Sequence, residues 1–295
     1  MLSSARPKMT ALDAVLACLL VLTGLYLLYR IKAGIHYEWN WGAIPQYILR
    51  FDPDQQKWLP NLLLQGLFTT LRLSVWGTLL ATLVGLVMGL FRISSSPFRR
   101  MLGGTYVELI RNTPPLVLIF IFYFFISDQI LPLLRLDMLL AAGGDALRSL
   151  CTVLFAPPHL LSTFLSALMT LSIFEGAYIT EIIRGGIQSI ERGQWEAADA
   201  LGFSGRQRMR HVILPQAVRR ILPPLAGQFI STIKDSAIVS VISIQDLTFQ
   251  GMELMSATYL TFEIWITITG LYLLLTLTLS LAVARIEARL HRSHG

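Results

Sequence analysis

From Leu62 to Ile93 the chain carries no acidic side chain and only two basic ones, Arg72 and Arg92. About 20 apolar residues suffice to cross the hydrocarbon of a bilayer, so this run overfills a span. Its beginning, up to Arg72, is expected to lie in the interface or against protein, with Arg72 snorkelling towards the headgroups. Such a run also fixes the class of fold, because backbone groups deprived of water must bond within their own segment, as a helix does. Hydrophobic residues make up 54% of the 295 and charged ones 14%, a balance that a soluble chain does not tolerate. The chain therefore reads as an all-α integral membrane helical bundle.

Five more runs qualify as spans. The first, Ala11 to Tyr29, has Arg6 and Lys8 before it and Arg30 and Lys32 after it. A retained helix is preferred there over a cleaved signal peptide, because the run exceeds a signal core and no small-x-small site follows cleanly. Ile31 to Pro60 is polar and offers Tyr37, Trp39 and Trp41, rings suited to the headgroup zone, so residues 1–60 read as a helix plus an outer interfacial segment. The main transmembrane domain is then 61–295. Its further spans are Val107 to Ile126, Leu160 to Ile183, Ile221 to Ile244 and Phe262 to Ala284. Ser127 to Pro158, with Asp128, Asp137, Asp145, Arg135, Arg148 and Gly143-Gly144, reads as an outer loop holding a short helix. Placing the N-terminus inside puts Arg92, Arg99 and Arg100, the stretch Arg184 to Arg220, and Arg285, Arg289 and Arg292 on the cytoplasmic side. That satisfies the positive-inside rule with six spans and both ends cytoplasmic.

The stretch Glu175 to Pro215 carries the strongest functional signal. It leaves the fourth span through Gly185 and Gly186, makes a polar excursion over about 185–220, and returns at Leu214 and Pro215. Trp195-Glu196-Ala197-Ala198-Asp199-Ala200-Leu201 reads as a two-turn helix that Gly202 ends with a left-handed C-cap. Ser204 and Gln207 have the spacing of a capping box that starts another helix. A plain connector needs neither cap, so the excursion reads as a surface built to be gripped. A helix resting on the bilayer is the weaker alternative.

Glu196-Ala197-Ala198, Gly202 after three intervening residues and Val212-Ile213-Leu214-Pro215 resemble the EAA signature of ABC-importer permeases, with Val212 where Ile is usual. Gly176-Ala177-Tyr178, Arg184-Gly185-Gly186-Ile187 and Gly193-Gln194 resemble the polar amino acid branch of that family, and the likeness runs from about Asn61 to Leu281. The resemblance implies a permease fold with Trp195 to Leu201 as a coupling helix docked in a separate ATPase, where Ala197, Ala198 and Ala200 let another backbone come close, Glu196 offers a carboxylate to cleft donors and Gly202 sets the angle between helices. It further implies a dimer of ATPase subunits that holds the ATP and Mg, a second permease subunit (a second copy or a paralogue), a periplasmic solute-binding protein, and a place in the bacterial inner membrane. The cycle so implied is alternating access.

The residues themselves add that this chain carries no phosphate-cradling Gly-x4-Gly-Lys-Ser/Thr loop; Lys8, Lys32, Lys57 and Lys234 all follow residues other than glycine. No cofactor and no catalytic role is expected within it. His36, His159, His211, His291 and His294 are scattered, and Cys18 and Cys151 stand alone, which argues against a metal centre or a disulfide framework. The positive charge, +6 overall, lies in loops rather than along a groove and points to no nucleic acid. Ionisable groups inside spans tend to face a cavity or a partner, so Glu175, Lys234 and Asp235, with Ser231 and Ser236, are the candidate substrate path. Glu175 would hold an ammonium, and Lys234 or the backbone near Ser231 and Ser236 a carboxylate. The competing reading has the same residues making helix contacts. Glu108 and Arg111, one turn apart, read as an intrahelical pair. Pro114-Pro115, Gly185-Gly186 and Pro223-Pro224 are hinge candidates. An ion-gradient carrier is the alternative function, favoured by Glu175 and Asp235 but disfavoured by the elaborate loop and the lack of an internal repeat.

Overall fold

A computed structural model describes residues 11–34, 37–135, 138, 140 and 142–292. Arg6, Lys8, His36, Asp137 and His294 lie outside the described residues. The chain divides into two units, one ending at Trp41 and the other beginning at Gly42. In the first, helix α1 (Ala11–Gly34) is followed by an aromatic cluster, with Tyr37 edge-on to Trp39 and Trp39 stacked on Trp41 at 5.8 Å between centroids.

The second unit starts earlier than residue 61. Helix α2 (Ile44–Ile48) buries Ile44 with Leu63, Leu247 and Ile264, and an antiparallel hairpin follows, β1 (Leu49–Asp52) against β2 (Lys57–Pro60), in the register Asp52↔Lys57. The hairpin is absent from the sequence reading. Its signal was the Asp52-Pro53-Asp54 turn, in which Asp52 Oδ1 accepts from the Asp54 amide at 3.0 Å.

Helix α3 (Leu62–Arg92) is the spine of the bundle. Its buried face carries Gly66, Thr70, Leu73, Gly77, Ala81, Gly85 and Gly89; Gly66 and Thr70 face Asp246 and Leu247, while Gly77, Gly85 and Gly89 let a second helix come close. That helix is α7 (Leu161–Gln188), buried along most of its length. A Cβ added at Gly85 would lie 2.6 Å from Ile179 Cγ2, so the approach requires glycine there.

Between them, the expected span Val107 to Ile126 is corrected to a broken pair. Helix α4 (Pro97–Arg111) and α5 (Pro115–Phe125) meet at 113°. The break follows from Pro114-Pro115, whose missing N–H groups leave no way to carry helical bonds across Asn112–Pro114. Glu108 accepts from the Asn112 side chain at 2.7 Å and Arg111 lies over the Tyr178 ring at 5.4 Å, so the expected Glu108–Arg111 pair is replaced by two other contacts. The loop after α5 contains the expected short helix, α6 (Gly144–Leu154).

After α7 come two short helices, α8 (Arg192–Ala200) and α9 (Gly205–Arg208), then α10 (Leu214–Asp235), α11 (Leu247–Thr258) and α12 (Thr261–Arg292). Pro223 and Pro224 lie inside α10 rather than at the start of a span. By length and apolarity, four helices can cross a membrane, or five with the bent α4–α5 pair, among the described residues. The apolar part of α1, Ala11–Leu27, is shorter than those. The chain is a multi-pass membrane protein.

Candidate functional site

The polar excursion folds as a compact helical hairpin. Helix α8 starts at Arg192, a turn before the expected Trp195, and ends at Ala200. Gly202 has φ +74°, its amide donates to Asp199 O at 3.0 Å, and the Phe203 amide donates to Ala198 O at 3.1 Å. These two bonds form a Schellman motif that satisfies orphan carbonyls of α8. Ser204 and Gln207 then form the capping box: the Ser204 amide donates to Gln207 Oε1 at 2.9 Å and the Gln207 amide to Ser204 Oγ at 3.4 Å. A wide helical turn, Met209–Ile213, feeds the chain without a break into α10, with Pro215 in its first turn.

Side chains brace the two arms. Arg208 bonds Asp199 and lies over the Trp195 ring at 5.2 Å, Gln216 donates to Gln194 Oε1 at 3.0 Å, and the Arg220 guanidinium donates to Ser189 O. Beneath them Ile183, Ile187, Ile190, Ile213 and Ala217 form a core. The hairpin is thus built into the ends of α7 and α10.

Two expectations about it change. Ala198 is 1% exposed and faces the hairpin's own interior, so it is not a surface for another backbone; Ala197, Ala200 and Leu201, the last 73% exposed, are among the residues that face outward. Glu196 is exposed but pairs with Arg192 at 2.9 Å. Nor does the chain leave the bundle at Gly185-Gly186, since α7 runs unbroken to Gln188. Gly186 instead admits Ile221, whose Cγ1 would lie 2.3 Å from an added Cβ, and so seats α10 against α7.

Above the hairpin, Glu181 on α7 collects Arg92 at 3.1 Å from the end of α3 and Arg184 at 2.6 Å. Arg92, grouped with Arg99 and Arg100 by charge in the sequence, therefore has a carboxylate partner from another helix.

Deeper in the bundle, Glu175 is 0% exposed and its Oε2 accepts from the Gln228 side chain at 2.7 Å, while Oε1 is buried without a hydrogen-bond partner. Thr232 and Asp235, one and two turns beyond Gln228 on α10, face the same carboxyl. The structure thus brings Glu175 and Asp235 together. Lys234 and Asp235 are both exposed, and the Lys234 charge acts on Asp235; Ser236 is buried and donates to Ile233 O within its own helix at 2.8 Å, and Ser231 is half-buried. Sequence reasoning missed Gln228, which nothing local marks. It also missed Asp246, which caps α11 by accepting from the Phe249 amide at 2.8 Å and is fully buried. Desolvation pushes the Asp246 carboxyl up to about 7. The spacing Asp246-Leu247-Thr248-Phe249 was the available signal for that cap.

Comparison with known proteins places this architecture. Residues 81–292 match the family of binding-protein-dependent transport system inner membrane components. The chain is 34% identical over 234 residues to the probable glutamine ABC transporter permease protein GlnM of Bacillus subtilis, covering 79% of this chain and 95% of that one. It is 33% identical to the glutamine transport system permease protein GlnP of Escherichia coli, covering 87% and 99% of the two chains. It is 32% identical to the glutamate/aspartate import permease protein GltJ of Escherichia coli, over 85% and 95%. A crystal structure of an amino acid ABC transporter with histidines superposes with a TM-score of 0.61 at 36% identity, covering 77% of this chain and 94% of that one. An inward-facing MetNI methionine ABC transporter shares the fold, with a TM-score of 0.57 at 18% identity. These findings support the ABC-importer reading over an ion-gradient carrier, and the chain belongs to the family of inner membrane components of binding-protein-dependent transport systems.

Proposed function

We propose that this chain is the permease subunit of an ATP-driven importer of a polar amino acid, worked from the cytoplasm through the Arg192–Ile213 hairpin. The observation that carries the reading is the hairpin itself. It is capped at both of its inner ends, braced by Arg208 and Arg220, and fused to α7 and α10, while Ala197, Ala200 and Leu201 remain exposed. A rigid body joined to two helices transmits a push from a partner into the bundle, whereas a loose loop would absorb it. Two ATPase subunits that close on each other need two hairpins, so a second permease, identical or paralogous, completes the path.

In this reading both termini lie in the cytoplasm, ATP and Mg bind in the ATPase pair, and a periplasmic binding protein delivers substrate to the opposite face. Glu175 and Asp235 supply negative charge for an amino acid's ammonium, and Lys234 with the backbone near Ser231 and Ser236 is the candidate for its carboxylate. The Pro114-Pro115 break, Gly185-Gly186 and Pro223-Pro224 are the points about which helices re-orient. The relatives that handle glutamine and glutamate/aspartate favour an amide or acidic amino acid as cargo.

The test is co-purification followed by reconstitution. An ATPase retained with this chain, and L-glutamine or L-glutamate uptake into proteoliposomes that needs ATP and persists when ion gradients are collapsed, is the expected result. Uptake that follows an ion gradient and ignores ATP would overturn the proposal.

A further inference from the structure

At the end of the bundle away from the hairpin, where α3 and α7 begin and α10 runs into α11, the helices enclose a cavity of about 250 Å³. Phe68, Phe155 and Phe164 give it apolar walls, and Gln65, Thr69, Arg72, Thr163, Gln245 and Gln250 give it polar ones. Its size is just under the range of about 300–1,000 Å³ for small-molecule sites, which suits a ligand as small as a single amino acid.

Two of its groups are unspent. Arg72, half-buried, lines the cavity. Its one hydrogen bond is a long 3.4 Å contact to Phe155 O, and no carboxylate among the described residues lies within ion-pair distance. A cation in a span without a counter-charge is costly. Gln250 is 3% exposed and its Oε1 has no hydrogen-bond partner, although a buried amide carbonyl ordinarily finds one. Its side chain is held in place across Gly66, where an added Cβ would lie 2.9 Å from Gln250 Cγ.

We propose that this cavity is a second substrate station, in which the Arg72 guanidinium takes the carboxylate of an amino acid and Gln250 Oε1, covered by protein in this structure, turns into the cavity to accept from its ammonium. The inference rests on the importer reading above and adds a site to it. Along α7, Thr163 stands twelve residues before Glu175, about 18 Å of helix, so the two stations are separate places on one path. Among the described residues no acidic side chain lines the cavity, while Gln65 and Gln245 offer amides. It therefore selects amino acids with an amide or acidic side chain and rejects cationic ones.

Thr163 is half-buried and lines the cavity, so a cysteine there reports its occupancy. With Cys18 and Cys151 replaced by serine, the Thr163→Cys permease is reconstituted with its ATPase and labelled with a maleimide at increasing L-glutamine or L-glutamate. The station predicts that either amino acid slows labelling and that L-arginine and L-glutaminol, which lacks the carboxylate, do not. Adding Arg72→Ala or Gln250→Leu should raise the half-protecting concentration about tenfold or more, the effect of one lost charge-assisted bond, and Arg72→Lys should recover part of it. Thermal melting of each variant checks that it is folded. If the complex drives ATP-dependent uptake yet neither amino acid slows labelling, or folded Arg72→Ala is protected as well as its parent, the station is refuted and the importer reading stands. If no amino acid is taken up at all, both fall.

Discussion

Gly202 offers the cleanest single-residue test of the hairpin. Its φ of +74° lies in the left-handed region, and an added Cβ would meet nothing within 4 Å. Gly202→Ala therefore carries a backbone cost with no clash added to it. For an L-residue in that region the cost is roughly 1–2 kcal/mol, which corresponds to about a 5–30-fold rise in the opening of the Schellman motif. Asparagine tolerates the left-handed region, so Gly202→Asn should recover much of the loss. Hydrogen exchange of the peptide spanning Trp195 to Arg208, followed in nanodiscs, reads the opening directly: the amides of Gly202 and Phe203 should exchange faster by that factor in the alanine variant, while the α3–α7 interface stays protected. Equal exchange in parent and Gly202→Ala would refute the claim that this turn holds the arms of the hairpin together.

Other expectations follow from the same contacts. Gly85→Leu drives a side chain into Ile179 across the α3–α7 seam and should cost about 1–3 kcal/mol or more, seen as a lower melting temperature of the purified protein. Glu175→Ala leaves the half-buried Gln228 amide without its acceptor and should destabilise by about 1 kcal/mol, whereas Glu175→Gln keeps an acceptor oxygen; uptake affinity unchanged in Glu175→Gln would remove this residue from the substrate path. For Asp246, whose folded pKa is raised above the unfolded value, the folded state binds the proton more tightly, so stability falls as pH rises from about 4 to about 7 and then levels off. Parent protein should accordingly lose more melting temperature between pH 4 and pH 8 than Asp246→Asn, and parallel curves would refute the assignment.

What the sequence disclosed was mainly local. The Gly202 turn and the Ser204–Gln207 box are set by residues within a few positions of each other, and each formed where the spacing put it. Pro114-Pro115 announced a disruption for the same reason, since a missing N–H is a property of the residue, but the 113° turn between α4 and α5 also depends on packing against α3 and α7. Contacts between distant segments were not legible. Gln228 is 53 positions from Glu175 and Arg92 is 89 from Glu181, and neither pairing follows from periodicity. Ala198 misled because small residues serve equally to admit a partner and to close a tight internal turn, and only the fold tells which. The same ambiguity covered Gly186, which sits in an unbroken helix against Ile221.

The account stands on a rigid hairpin receiving force from a nucleotide-hydrolysing partner. Single cysteines at Leu201 and at Ala198, in a background lacking Cys18 and Cys151, test this by crosslinking in native membranes with a short bifunctional reagent. Position 201 should capture an ATPase subunit, with a yield that changes on adding ATP, while position 198 should stay unreactive. Capture of no ATPase from Leu201, or labelling of Leu201 by a membrane-impermeant reagent applied to the outer face of intact cells, would contradict it.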